Sequence, residues 1–241
     1  MEAVTGIVLA GGRSRRMGRP KALLPFGGTT LLDRVVRRVA QVCPRVLVVV
    51  RDRTVLSGGD DRALLPTGAH SVLPAGEVVV DRFPGLGPLS GLHAGLLATE
   101  TETAVCVACD LPLVRPALLR LLADLAAGYD AAVPVVGGRP QPVCAAYHRR
   151  VADAAAEILQ GGGGAMRDLL SRLRVRLVGE ADLRRADPDL LSFLDVNTPA
   201  DYREALARAQ READLSGGAE VCGAGDALET GAGGTSRSNP L

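Results

Sequence analysis

Residues 6–21 read Gly6-Ile7-Val8-Leu9-Ala10-Gly11-Gly12-Arg13-Ser14-Arg15-Arg16-Met17-Gly18-Arg19-Pro20-Lys21. The apolar opening predicts a buried strand that breaks at Gly11-Gly12, and a Gly/Arg-rich loop then runs to Lys21. Val46 to Val50 is a second all-apolar run, as in a parallel sheet covered on both faces. Between the two, Leu32, Val35, Val36, Val39 and Cys43 recur at helical spacing. Strand, crossover helix and strand follow one another, and this unit sets the reading of the rest.

The alternation continues. Val78 to Val80 predicts a third strand, ending at Asp81. After Pro84-Gly85-Leu86-Gly87-Pro88, the spacing of Leu89, Leu92 and Leu96 marks a helix. Thr103 to Ala108 is a fourth strand, closed by Cys109-Asp110-Leu111-Pro112, and Pro116 opens a helix that runs to Ala127. Ala131–Val136 and Val143–Tyr147 read as strands joined through Gly137-Gly138. Helical stretches at 150–160 and 165–173 flank Gly161 to Gly164, and Val175–Val178 and Leu190–Leu194 are further strand candidates. Thr198, Pro199 and Asp201 form a helix start, with a Thr cap, Pro at the first position and an acid three residues on. Leu23–Phe26 with Gly27-Gly28 predicts a short extended excursion, and residues 52–77 carry only weak patterning.

The expected architecture is α/β: a Rossmann-like, mostly parallel sheet with helices on both faces. Residues 1–214 are expected to form a single domain. Residues 215–241, rich in Gly, Ala and Ser without periodicity, read as a disordered tail.

Composition narrows the function. The 241 residues are 47% hydrophobic and 23% charged, and the net charge of +1 offers no basic surplus for nucleic acid or an anionic membrane. Three Phe, three Tyr and no Trp leave too few rings for a base-stacking platform. No apolar run approaches the roughly 20 residues of a membrane span, and the N-terminus lacks the features of a signal peptide. The five cysteines make no disulfide framework. Cys106 and Cys109 form a CxxC whose first member lies inside a strand, so packing is its expected role. These features fit a cytoplasmic enzyme or binding domain with no nucleic-acid or membrane partner. Among 28 cationic side chains Lys21 is the sole lysine, a sign that a compact ammonium is used there rather than a planar guanidinium.

In parallel sheets, ligands bind beyond the carboxyl ends of the strands. Four segments with polar or glycine residues stand at such ends: Gly11–Lys21, Arg51-Asp52, Asp81–Gly91 and Cys109-Asp110. Convergence of these segments is the central structural expectation. Glycines without Cβ let backbone amides approach phosphate oxygens, and Arg and Lys neutralise a polyphosphate. The loop is no Walker motif, because Lys21 follows Pro20 and precedes Ala22. Asp110, at a strand tip, suits a hard cation that takes one or two carboxylates plus substrate phosphates; capping of the following turn is its structural alternative. Asp81 has the same placement and the same ambiguity.

These residues resemble the molybdenum cofactor guanylyltransferase (MobA) family, within the wider nucleotidyltransferases. Residues 9–21 are close to the pattern LAGGxSxRMGxxK. Asp81 with Gly87-Pro88-Leu89-Ser90-Gly91, then Cys109-Asp110-Leu111-Pro112, then Asp195-Val196-Asn197-Thr198-Pro199 follow in the family's order. The resemblance covers about Thr5 to Arg208. It implies a nucleotidyltransferase (GT-A-like) fold and transfer of GMP from GTP to molybdopterin with Mg²⁺, releasing pyrophosphate. It further implies that Leu9, Ala10, Gly11 and Gly12 hold the nucleotide, that Lys21 contacts its phosphates, and that Asp81 and Asp110 bind GTP. Asp110 would also bind Mg²⁺. Lys21, Asp110 and Arg16 are the candidate catalytic residues. Arg51 and Asn197 are further candidate contacts, although Arg51 stands where a relative carries Asn. Partners would be GTP, molybdopterin and hand-over proteins of cofactor biosynthesis or molybdoenzymes. A molybdopterin cytidylyltransferase, a sugar or small-phosphate nucleotidyltransferase, and a non-catalytic GTP-binding carrier module stay open as rival readings.

Overall fold

The computed structural model describes residues 3–11, 21–52, 56 and 76–217. The chain forms β1 (Thr5–Leu9), β2 (Pro25–Phe26), β3 (Thr29–Thr30), α1 (Leu31–Ala40), β4 (Arg45–Val50), β5 (Glu77–Val80), α2 (Pro88–Ala98) and β6 (Thr103–Ala108). Then come α3 (Pro116–Leu125), β7 (Ala131–Val136), β8 (Arg139–Pro140), β9 (Cys144–His148), α4 (Val151–Gln160) and α5 (Met166–Leu170). The described chain closes with β10 (Val175–Val178), α6 (Glu180–Ala186) and α7 (Pro199–Gly217).

Among the described residues the main sheet has eight strands, in the order β10-β7-β9-β6-β1-β4-β5, with β8 paired to β7. β1 lies parallel between β4 and β6, β5 extends the parallel block beyond β4, and β10 is parallel to β7. β9 runs against both of its neighbours. The mostly parallel sheet expected from the sequence is therefore present, with β8 and β9 reversed after Gly137-Gly138 turns the chain.

Alternation along the strands distributes side chains between two cores. Val8, Val48 and Val107 face α1, α3 and α6, packing on Leu32, Val36, Leu118, Leu122 and Leu183. Ile7, Leu9, Val49 and Cys106 face α2, α4 and α5, packing on Leu89, Leu92, Ala155 and Leu169. Helices thus cover both faces. α2 is buried along most of its length, Ser90 and His93 included, because it lies between the sheet and α4. Its seat is narrow: a Cβ added at Gly95 would stand 2.6 Å from Ile7 Cγ2. A third cluster joins Leu24, Phe26, Leu31, Leu113 and Val196 to Ala205 and Ala209, and seats α7 over the β2–β3 hairpin. Gly27 and Gly28, both at positive φ, make that hairpin's turn.

Three sequence readings are corrected. Leu190–Leu194 is not a strand: Leu191–Phe193 is a 3₁₀ turn entered through Leu190 at φ 54°. The fully buried Asp187 carboxylate accepts from Ser192 N at 2.7 Å, and this local bond prevails over the apolar content. α6 was not foreseen, because only Leu183 of its seven residues is buried and no periodic stripe results. α7 continues through Gly217, three residues into the segment expected to be tail; residues 218–241 lie outside the described residues. Gly12, Arg16 and most of 52–77 also lie outside them. No helix among the described residues is long and apolar enough to cross a membrane.

Gly95→Ala should destabilise the protein by about 1–3 kcal/mol, because overpacking against Ile7 outweighs the better helix propensity of Ala. Urea unfolding measures this; an unchanged or raised midpoint would show that α2 is not seated tightly on β1.

Candidate active site

Backbone bonds carry the sheet's register beyond the strand ends. Ala10 N donates to Val49 O at 2.8 Å, Cys109 N to Leu9 O at 3.0 Å, and Asp81 N to Val50 O at 2.9 Å. The chain therefore leaves β1, β4, β5 and β6 along one rim. There a cleft of about 590 Å³ is lined by Leu9, Ala10, Gly11, Lys21, Arg51, Asp81 and Asp110, together with Gly85, Gly87, Gly91, Gln141, Phe193 and Asp195. Parts of all four segments expected to converge do so. Of the expected contacts, Leu9 and Ala10 form the floor, with their side chains turned into the core. At Gly11 an added Cβ would meet only Arg51, its nearest atom at 3.4 Å.

Lys21 sits at the centre of the polar groups. Ala22 is buried beside it, and Leu24 N donates to Lys21 O at 3.1 Å, which closes a 3₁₀ turn and anchors the Lys21 backbone. Its Nζ donates to Asp110 Oδ2 at 3.2 Å and to Asn197 Oδ1 at 2.7 Å. The side chains of Lys21 and Asp110 are 17% and 26% exposed, so this ion pair is partly desolvated yet open to a ligand. Val196 N donates to Asp110 O at 2.9 Å and draws the segment before α7 onto the turn after β6. Asp201 completes that junction by accepting from Asn197 N at 3.0 Å and Thr198 N at 2.7 Å, while its own N–H bonds Thr198 Oγ1 at 3.2 Å. The expected Thr-capped helix start is present. The backbone N–H groups of Asn197 and Thr198 hold the Asp201 carboxyl below its usual range.

Asp81 shapes the opposite wall. Its Oδ1 accepts from Phe83 N at 2.8 Å and its Oδ2 from Ser90 Oγ at 2.7 Å. These bonds tie the tip of β5 to α2 across a loop in which Gly85 and Gly87 take positive φ, at 97° and 84°. Arg51 Nε pairs with Asp52 at 3.1 Å.

Charge decides what the cleft can hold. Its described lining carries the carboxylates Asp81, Asp110 and Asp195 against Lys21 and Arg51, and Arg51 is already paired. Among the described residues a polyphosphate there would meet more negative than positive side chains. Among the described residues no three His, Cys, Asp or Glu side chains converge as a metal cage. Asp110 nevertheless fits a hard divalent cation whose remaining ligands are substrate oxygens and water.

Sequence reasoning placed Asp110, Asp81 and Lys21 at the rim. It did not foresee that Asn197 bonds Lys21, that Ser90 bonds Asp81, or that Gln141 and Asp195 line the cleft. Ser90 and Asp195 stand inside the quoted motifs, and Gln141 stands in Arg139-Pro140-Gln141-Pro142, which resembles the segment preceding the family's cofactor-side strand.

The layered, mostly parallel sheet with its cleft at the strand ends is the fold of a nucleotidyltransferase, and the similarity to known proteins gives the same class. The chain belongs to the MobA-like NTP transferase family, whose domain model matches residues 6–177. Among its relatives, a probable molybdenum cofactor guanylyltransferase of Pelotomaculum thermopropionicum is 38% identical, over 87% of this chain and 95% of the relative. The molybdenum cofactor guanylyltransferase of Desulfosudis oleivorans is 35% identical, over 86% and 96%. The crystal structure of molybdopterin-guanine dinucleotide biosynthesis protein A from Archaeoglobus fulgidus superposes with a TM-score of 0.71 at 28% identity, covering 86% of this chain and all of that one.

Among the described residues Cys43, Cys106, Cys109 and Cys144 are free thiols, all buried. Burial pushes the Cys109 thiol up to about 12, with the Asp110 charge adding and Lys21 opposing, and burial also pushes Cys43 and Cys144 up to about 12. The Cys109 thiol therefore stays protonated near neutral pH, and the thiolate is the nucleophilic form. Iodoacetamide at pH 8 should leave Cys43, Cys106, Cys109 and Cys144 unmodified in the native protein and alkylate all four in denaturant. Rapid native modification of Cys109, read by peptide mass spectrometry, would contradict this.

Proposed function

We propose that the protein transfers GMP from GTP to molybdopterin, with release of pyrophosphate and formation of the guanine dinucleotide form of the cofactor. The observation that carries the proposal is the ammonium of Lys21, bonded to both Asp110 and Asn197 at the mouth of the cleft. The relatives' shared activity supports the choice of nucleotide and acceptor.

In this reading a terminal phosphate oxygen of molybdopterin attacks the α-phosphorus of GTP. The new O–P bond forms as the bond to the β-phosphate oxygen breaks, and the electron pair leaves with pyrophosphate. The attacking phosphate is already ionised at neutral pH, so no general base is required. Transfer of this kind depends on positioning and charge neutralisation more than on covalent help. Leu9, Ala10 and Gly11 provide the floor on which the nucleotide lies, and Gly12, next in sequence, is a further nucleotide contact. Asp81 sets the facing wall and can accept from the nucleoside. Lys21, together with Arg16, offsets charge on the leaving pyrophosphate. Arg51 is a further contact at the tip of β4, and Asn197 holds Lys21 from the acceptor side. Asp110 would hold Mg²⁺, which when bound polarises phosphate oxygens and offsets their negative charge.

Lys21→Ala should lower turnover by on the order of 10²–10³-fold, the usual loss for one transition-state donor. Pyrophosphate release with purified molybdopterin and GTP, CTP, ATP or UTP tests both the variant and the nucleotide choice. Preference for CTP, or near-normal turnover in folded Lys21→Ala, would overturn the corresponding part of the reading. Asp110→Asn should move the Mg²⁺ titration to higher concentrations; an unchanged titration would reduce Asp110 to a turn residue.

A further inference from the structure

We propose that Asp195 is a positioning residue: it turns the Asn197 side chain so that its carbonyl, rather than its NH₂, faces Lys21. This inference rests on the assignment of Lys21 to the reaction site. Asn197 Nδ2 donates to Asp195 Oδ2, while Asn197 Oδ1 accepts from Lys21 Nζ at 2.7 Å. An asparagine amide has an acceptor end and a donor end, and the two are nearly the same shape. Reversed here, it would set its oxygen against the Asp195 carboxylate and its NH₂ against the Lys21 ammonium. Both contacts would then be repulsive. Asp195 and Lys21 therefore select one orientation between them, and the chain Asp195–Asn197–Lys21–Asp110 has a single self-consistent pattern of donors and acceptors.

The Asn197 backbone does not need Asp195. Its N–H is held by Asp201 at 3.0 Å, and Val196 next to it is fully buried. Asp195 itself is exposed, so it adds nothing to the core. What its carboxylate contributes is the direction of the neighbouring amide, and through it the place of the ammonium over the cleft.

Lys21 is the sole lysine of the 241 residues, so protein labelled with ¹³C,¹⁵N-lysine gives one lysine side-chain signal. In the ligand-free wild type the hydrogen-bonded Nζ–H₃⁺ should exchange slowly with water. Asp195→Ala should speed that exchange and shift the signal. Asp195→Asn, whose carbonyl can still accept from Asn197 Nδ2, should restore most of the wild-type behaviour. Asn197→Ala should match Asp195→Ala, and the double variant should show no further change. In turnover, Asp195→Ala should lower kcat about 10-fold and change KM for GTP less than twofold. A Lys21 signal unmoved by Asp195→Ala in a folded protein overturns the inference. So does a further loss of turnover on adding Asp195→Ala to Asn197→Ala, which would mean direct contact with substrate. The spectroscopic arm uses the free protein, so its outcome is independent of which nucleotide the wild type uses; a failed guanylyl-transfer assay beside a shifted Lys21 signal would sink the functional reading alone.

Discussion

The hydrogen-bond ladder of β1 runs on past the strand. Ala10, Cys109 and Asp81 each donate to a carbonyl of the neighbouring strand, to Val49, Leu9 and Val50 in turn, so the chain leaves adjacent strands in step. Parallel strands lie about 4.8 Å apart, and residues at matching rungs must therefore fall along one rim. A slip of one residue between β1 and either neighbour would turn its side chains to the opposite face. Ile7 and Leu9 would then lose the α2 side of the core, and Gly11 would no longer stand level with Arg51 and Asp110. The cleft depends on this register.

The other half of the site comes from the far end of the described chain. Val196 reaches the carbonyl of Asp110, and α7 then crosses back over the hairpin that follows Lys21. Glu212 on α7 pairs with Arg38 at 2.7 Å and lies 3.7 Å from both Arg34 and Arg115. Arg115 also meets the buried Asp187 carboxylate at 3.0 Å, in an ion contact rather than an aligned hydrogen bond. Apolar burial and these pairs together clamp the turns that carry Lys21 and Asp110. Partly exposed ion pairs add little alone; their effect here is to set the direction of α7.

The single lysine has a physical rationale. Its ammonium is held between a carboxylate and an amide carbonyl, a place that suits a compact tetrahedral donor better than the planar fork of arginine. The other 27 cationic side chains of the sequence are all arginine.

The parallel block, its crossover helices and the acids at its strand tips were legible because burial follows periods set by the backbone, two in strands and 3.6 in helices. Leu190–Leu194 was misread for the same reason: its apolar residues carry no mark of the Asp187 carboxylate that captures Ser192 N and bends the chain. The short, largely exposed α6 left no periodic stripe to read. The sequence by itself determined the layered sheet and the candidates Lys21, Asp81 and Asp110. Only the tertiary structure decided that Asn197, 176 positions from Lys21, bonds its ammonium, and that Asp195 bonds Asn197 in turn. Such a contact depends on where α7 packs, and packing between distant segments leaves no local period in a chain.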